Sequence, residues 1–104
     1  MTELRWLDFD YSEGDDGTGV FDAMASVTTQ HAAEVQREID TVLAWADARF
    51  AGRRGPVEDG GEWDAELQVS DEPGTPLRRC FSLTLAGSAG FCDAFRERFA
   101  PAAE

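Results

Sequence analysis

Three aspartates near the start of the chain have the type and spacing that could bind a divalent cation or exchange a proton. Asp8 and Asp10 alternate along one predicted strand, and Asp22 lies on the next. Carboxylate oxygens are the ligands that Mg²⁺ and Ca²⁺ take in proteins, and two closely opposed carboxylates can share one proton. These residues are therefore the candidate metal site or acid–base pair of the chain.

The pairing of the first two strands decides which carboxylates face each other. In the three registers that keep the apolar faces of both strands together, Asp22 lies opposite Asp8, Asp10 or Ser12. Opposed like charges destabilise a strand pair by up to about 1 kcal/mol, which a cation, an arginine or a raised pKa could offset. The alternative is a solvated acidic surface, on which exposed charges interact weakly at physiological salt.

The charged residues exclude several classes of function. The chain has 21 acidic and nine basic residues, all nine of them arginine, and a formal net charge of −12. Without lysine and with a single histidine, His31, it cannot form a Schiff base, a phosphate-loop lysine contact or a metal site with two histidines. We expect no cofactor. A surface this acidic repels phosphate groups, so neither nucleic acid nor an anionic membrane is an expected partner.

Length and composition predict a single domain over residues 1–104. The chain contains 42% hydrophobic residues, too many for a disordered acidic tail. The sequence pattern divides it into two similar units, at about 1–52 and 53–104. No basic start with an apolar stretch behind it is present, and no apolar run approaches membrane-spanning length, so we expect a cytoplasmic protein with free thiols at Cys80 and Cys92.

Apolar periodicity predicts the secondary structure. Period-2 alternation indicates strands over 4–11, 20–27, 63–69 and 80–85, and steps of three and four indicate a long helix ending at Phe50 and a short one after Ser88. The order is β-β-α-β-β-α. Each helix has one apolar stripe and each hairpin one apolar face, which predicts an α+β two-layer sandwich: a four-stranded, mainly antiparallel sheet with two helices on one face. The strand order stays open.

Six residues are candidates for contact with a partner. They are Trp6, Val20, Met24, Asp64 and Glu66 on the sheet face away from the helices, and Trp45 on the long helix. Aromatic and methionine side chains are enriched at the centres of interfaces. Trp45 lies about 100° around the helix from the middle of the apolar stripe, so it is either an exposed anchor or the flank of the core.

These observations predict a non-enzymatic binding or regulatory module that engages a basic protein partner through its acidic surface. The alternative is a metal-assisted or carboxylate-dependent hydrolytic enzyme that uses the three aspartates, with Asp64 or Glu66 as the base. We also expect a weak homodimer through the uncovered sheet face or a sheet edge, tightening as salt rises.

Overall fold

The order of elements is β-β-α-β-β-α, as the sequence predicts. A computed structural model describes residues 4–14, 17–56 and 59–99. Its strands are β1 (Asp10–Glu13), β2 (Gly19–Thr28), β3 (Trp63–Glu72) and β4 (Arg78–Gly87), and its helices are α1 (Ala32–Arg49) and α2 (Ala89–Phe99). One 3₁₀ turn, Thr29–His31, leads into α1.

The four strands form one antiparallel sheet in the order β1-β2-β4-β3. The central strands β2 and β4 therefore come from different halves of the chain, and β1 and β3 are the edges. Alternate residues of β2 and β4 are buried on the side that both helices contact. The predicted α+β fold, with two helices on a four-stranded antiparallel sheet, is confirmed.

The core lies between the sheet and the helices. Helix α1 has one fully buried stripe that includes Val35, Ile39 and Val42. Helix α2 contributes a phenylalanine every four residues, and the ring of Phe95 lies 4.2 Å from that of Phe21 and 5.1 Å from that of Phe9. One hydrophobic cluster thus joins residues from both halves of the chain.

The first predicted strand, over residues 4–11, is wrong at its start, because β1 begins only at Asp10. The carboxylate of Glu38 on α1 accepts the backbone N–H groups of Arg5, Trp6 and Leu7 at 2.7, 2.9 and 3.0 Å. Because these three N–H groups donate to a helix side chain, they are not available to the hydrogen-bond ladder of a strand. Leu7 is nevertheless buried, so the alternation had marked the buried side correctly.

Two glycines let α2 approach the sheet closely. Gly19 of β2 and Gly87 of β4 lie opposite each other beneath the first turn of α2. A Cβ atom on Gly87 would lie 2.4 Å from the ring of Phe91, and one on Gly19 would lie 2.8 Å from the sulfur of Cys92. Real Cβ atoms do not approach other atoms so closely, so any larger residue at either position would force neighbouring side chains to shift.

Replacing Glu38 by alanine removes the acceptor of three backbone N–H groups, and we expect it to lower the free energy of unfolding by about 1–3 kcal/mol. Asp47→Ala is the matched control, because Asp47 is an exposed carboxylate on the same helix, and its effect should stay within about 0.5 kcal/mol. Urea titration of both variants measures the difference. Equal effects would show that the Glu38 contacts do not hold the N-terminal segment.

Gly87→Ala should destabilise the fold by about 1–3 kcal/mol, because the added methyl group forces the Phe91 ring from its place. Gly90→Ala is the control, since the nearest atom to its added Cβ is the Ser88 hydroxyl at 3.9 Å. We expect this helical substitution to stabilise the protein by about 0.4–1 kcal/mol. Urea unfolding should therefore separate the two alanine variants in opposite directions from the parent.

Candidate functional site

The sheet surface away from the helices, here called the open face, carries most of the residues that the sequence nominates. Strand alternation and register place its members on this side. They are Asp10, Ser12, Val20, Asp22, Met24, Ser26, Thr28, Asp64, Glu66, Gln68, Ser70, Glu72, Arg78, Cys80, Ser82, Thr84 and Ala86. None of them belongs to the buried core among the described residues.

An acidic row crosses all four strands of the open face. Asp10 pairs with Asp22, Asp22 with Thr84, and Thr84 with Glu66. Three strand spacings of about 4.8 Å make the row about 14 Å wide. Of the three registers that the sequence leaves open, the structure adopts the one that opposes Asp10 and Asp22.

Thr84 lies in the middle of the acidic row and fixes one of its carboxylates. Its hydroxyl donates a hydrogen bond of 2.7 Å to Oδ1 of Asp22. That bond removes part of the cost of placing Asp22 beside Asp10. Sequence reasoning gave Thr84 no role, because the pairing of β2 with β4 follows from a strand order that the sequence does not determine.

Most of the row has no basic counterpart in the part of the chain that the structure describes. The ion pairs there join His31 to Glu34, Arg53 to Glu62, Arg54 to Asp64 and Arg79 to Asp71. Asp10, Asp22 and Glu66 take part in none of them, and all three are exposed. The row therefore presents uncompensated negative charge to solvent.

An apolar contact point lies beside the row. Met24 follows Asp22 by two residues on β2, so both side chains share the open face, and 73% of Met24 is exposed. Val20 precedes Asp22 by the same step and is half-buried. A flexible apolar side chain between carboxylates gives this face both kinds of contact that protein interfaces use.

Asp64 is the one member of the predicted acidic set that is neutralised locally. Its Oδ1 atom accepts the N–H of Ala65 at 2.9 Å and the Nε–H of Arg54 at 3.1 Å. The Ala65 hydrogen bond and, after it, the arginine hold the pKa of the Asp64 carboxyl below its usual value. Asp64 is therefore less available to a partner than Glu66, two residues further along β3.

The two tryptophan candidates lie away from the open face. Trp6 was expected on that face, but its indole N–H donates to Oε1 of Glu34 at 3.3 Å and its ring lies 5.3 Å from that of His31. Trp6 lies there because the hydrogen bonds to Glu38 hold residues 5–7 against α1. Trp45 packs 5.3 Å from Phe99 and is the flank of the core, which decides between its two interpretations.

The remaining reactive side chains are dispersed. The Nδ1 atom of His31 lies 3.2 Å from Glu34, at the start of α1. Cys80 is half-buried on the open face, with its sulfur 3.5 Å from the Ser26 hydroxyl. Cys92 is buried in the core, which raises the pKa of its thiol. Both cysteines are free thiols, and neither contacts His31 through any hydrogen bond of the described chain.

The predicted metal ligands are only partly brought together. Asp10 and Asp22 are directly opposed, and Asp8 is an exposed residue before β1. Within residues 4–14, 17–56 and 59–99, no three His, Cys, Asp or Glu side chains group closely enough to hold a metal ion. The acidic loop between β1 and β2 includes Asp15 and Asp16, which lie outside the described residues.

Two shallow pockets lie on the helical side. One, of about 270 Å³, is lined by the N-terminal segment and α1, and the other, of about 300 Å³, lies between the ends of the two helices beside Trp45.

No helix in the described part of the chain is long and apolar enough to cross a membrane. Comparisons with models of known protein families, with curated proteins and with solved structures found no match.

The opposed pair Asp10–Asp22 generates a test with divalent cations. A cation bound at about 100 times its dissociation constant would stabilise the fold by about 2.7 kcal/mol. With only two carboxylates directly opposed, we expect Mg²⁺, Mn²⁺ and Ca²⁺ to leave the melting temperature unchanged in both the parent and Asp22→Asn. A rise in the parent that Asp22→Asn abolishes would instead support the metal site.

Proposed function

We propose that this chain is a non-enzymatic binding module whose open face engages a basic protein partner. The observation that carries the proposal is the acidic row, in which Asp10, Asp22 and Glu66 share one exposed surface and form no ion pair with a described basic residue. Carboxylates held on a rigid sheet attract arginine and lysine side chains without rearrangement.

Long-range attraction supports the same proposal. The chain carries a formal net charge of −12, so it attracts basic proteins before contact and raises their association rate. Salt screens this attraction over about 8–10 Å at physiological ionic strength, which makes the rate salt-dependent. The exposed Met24 side chain supplies the apolar contact that slows dissociation once the surfaces meet.

A second candidate is the carboxylate-dependent hydrolase, and the opposed register of Asp10 and Asp22 is the observation that favours it. In that reading Asp8 completes the set and Glu66 acts as the base, since the Asp64 carboxylate is already bonded to Arg54. The metal-assisted form of this site requires a cation between the carboxylates, whereas an acid–base pair would share a proton. The cation titration therefore distinguishes the metal-assisted hydrolase from the binding module.

Affinity capture from native lysate tests the binding module. We expect the immobilised parent to retain a basic protein at low salt and to release it as salt rises. The triple variant Asp10→Asn, Asp22→Asn, Glu66→Gln should lose at least about 90% of the captured protein, since the row provides the contact. Quantitative mass spectrometry of the eluates measures this.

A charge-matched control separates the open face from overall acidity. The variant Asp40→Asn, Asp47→Asn, Glu97→Gln removes the same number of exposed negative charges from the helical side. It should retain the partner as the parent does. Equal losses in both triple variants, or no protein partner at either salt concentration, would contradict the proposal.

A further inference from the structure

Strand β3 is an edge with an unused row of backbone groups. The carbonyl of Trp63 accepts the N–H of Gly55 at 2.7 Å and that of Ala65 accepts Nη2 of Arg54 at 3.2 Å, so these groups point away from β4. Strand alternation directs the backbone groups of Leu67 and Val69 the same way. In the described structure β4 is the only strand that pairs with them, so their outward groups are free.

The same stretch of β3 exposes apolar side chains on the helical side of the sheet. Leu67 is 36% exposed and Val69 is 47% exposed, although their partners on β4, Leu83 and Phe81, are buried. The helices contact β2 and β4 and leave this part of β3 uncovered. An exposed edge with apolar side chains and unpaired backbone groups favours the addition of another strand.

The β3 edge is also where the acidity of the chain is best compensated. Asp64 pairs with Arg54 at 3.1 Å, and Asp71 pairs with Arg79 at 2.7 Å. Glu72 lies opposite Arg78 across the β3–β4 ladder. Two copies of this acidic chain therefore repel each other less along β3 than across the open face.

We propose that two copies of this chain associate by antiparallel pairing of their β3 strands about a two-fold axis at Gln68. This register places Leu67 of each copy opposite Val69 of the other, so four exposed apolar side chains form one cluster. The outward N–H and C=O groups of Leu67 and Val69 then bond reciprocally across the junction. The product is a continuous sheet of eight strands, with the helices of both copies on the same side.

Register and charge identify a second copy as the occupant. A two-fold axis moved to Val69 would oppose Glu66 with Glu72 and Leu67 with Asp71, so like charges and mismatched side chains disfavour it. At Gln68, the axis opposes Asp64 with Glu72 of the other copy, but each of these acids lies beside an arginine of its own chain: Asp64 is 3.1 Å from Arg54, and Glu72 lies opposite Arg78. The strand is thus complementary to itself in its apolar contacts, and the acids that it opposes are accompanied by arginines.

Strand β1, the other edge of the sheet, is a shorter surface for pairing with a second copy. Strand β1 has four residues, three of them exposed and the other half-buried, whereas β3 has ten. This proposal concerns a different surface from the open face, so it stands or fails separately from the proposed function. A dimer through β3 keeps both acidic rows free on the same side of the extended sheet.

Disulfide trapping tests the register. In a Cys80→Ser background, Gln68→Cys places two sulfurs on a non-hydrogen-bonded pair, whose Cα atoms lie about 4.5 Å apart and within the range for a disulfide. Ser70→Cys is the control on the same face, since its two copies would lie about 14 Å apart along the strands. We expect mild oxidation to give a covalent dimer with Gln68→Cys at least about tenfold faster than with Ser70→Cys.

Sedimentation velocity tests the surface itself. The parent should show a monomer–dimer equilibrium that shifts to dimer with protein concentration and with salt, because salt screens the repulsion between two acidic copies. Val69→Lys should remain monomeric, and Met24→Lys, an equal charge change at an exposed residue of the open face, should dimerise as the parent does. Circular dichroism confirms that both variants fold.

Each contrary result overturns the proposal. A parent that stays monomeric at high salt and high concentration excludes the dimer. Undiminished association of Val69→Lys removes β3 as its surface. Equal trapping of both cysteine variants, or faster trapping of Ser70→Cys, excludes the two-fold axis at Gln68.

Discussion

The close contact between α2 and the end of the sheet is the constraint on which the core depends. Only one residue, Ser88, separates β4 from α2, so the chain must turn from sheet to helix almost at once. The Ser88 hydroxyl donates to Glu62 at 2.6 Å and accepts the N–H of Phe91 at 3.2 Å, which caps the helix and ties it to the start of β3. Gly19 and Gly87 provide the space beneath this corner. The rings of Trp63 and Phe91 can then stack 5.9 Å apart, and the phenylalanines that follow fill the core.

This placement of α2 makes the two surfaces of the sheet unequal. Both helices lie over β2 and β4, where the buried side chains are concentrated, and beyond Ala65 the strand β3 is exposed at every residue. The open face keeps uncompensated carboxylates, while the distal part of β3 keeps apolar side chains and arginine-paired acids. The molecule therefore separates a surface of exposed carboxylates from an edge with free backbone groups, so a molecule bound to one of them would leave the other accessible.

Sequence reasoning captured what short-range patterns determine. Alternation identified the side of each strand that faces the helices, and the apolar stripes identified both helices. It failed where a contact between distant residues decides the outcome: Glu38 draws residues 5–7 onto α1, which shortens β1 and removes Trp6 from the open face. Leu67 has the same alternation signal as Leu83, yet it is exposed, because burial depends on how far the helices reach. The sequence allowed three registers for the first hairpin, and only the structure shows that Asp10 lies opposite Asp22. The hydrogen bond from Thr84 to Asp22 could not be predicted without knowing that β2 pairs with β4.

The ladder between β2 and β4 has a consequence for how the chain folds. Its nearest pair, Thr28 and Arg78, closes a loop of about 50 residues, and the ten-residue ladder extends to Gly19 and Gly87. Such non-local pairing loses chain entropy on loop closure before the stabilising contacts between the strands form. The topology therefore favours slow and cooperative folding. During synthesis the first ββα unit leaves the ribosome before β4. The side of β2 that pairs with β4 therefore has no partner strand until β4 emerges. The two halves resemble each other in pattern, but their central strands pair with each other, and a chain cut between them leaves both of these strands with open edges.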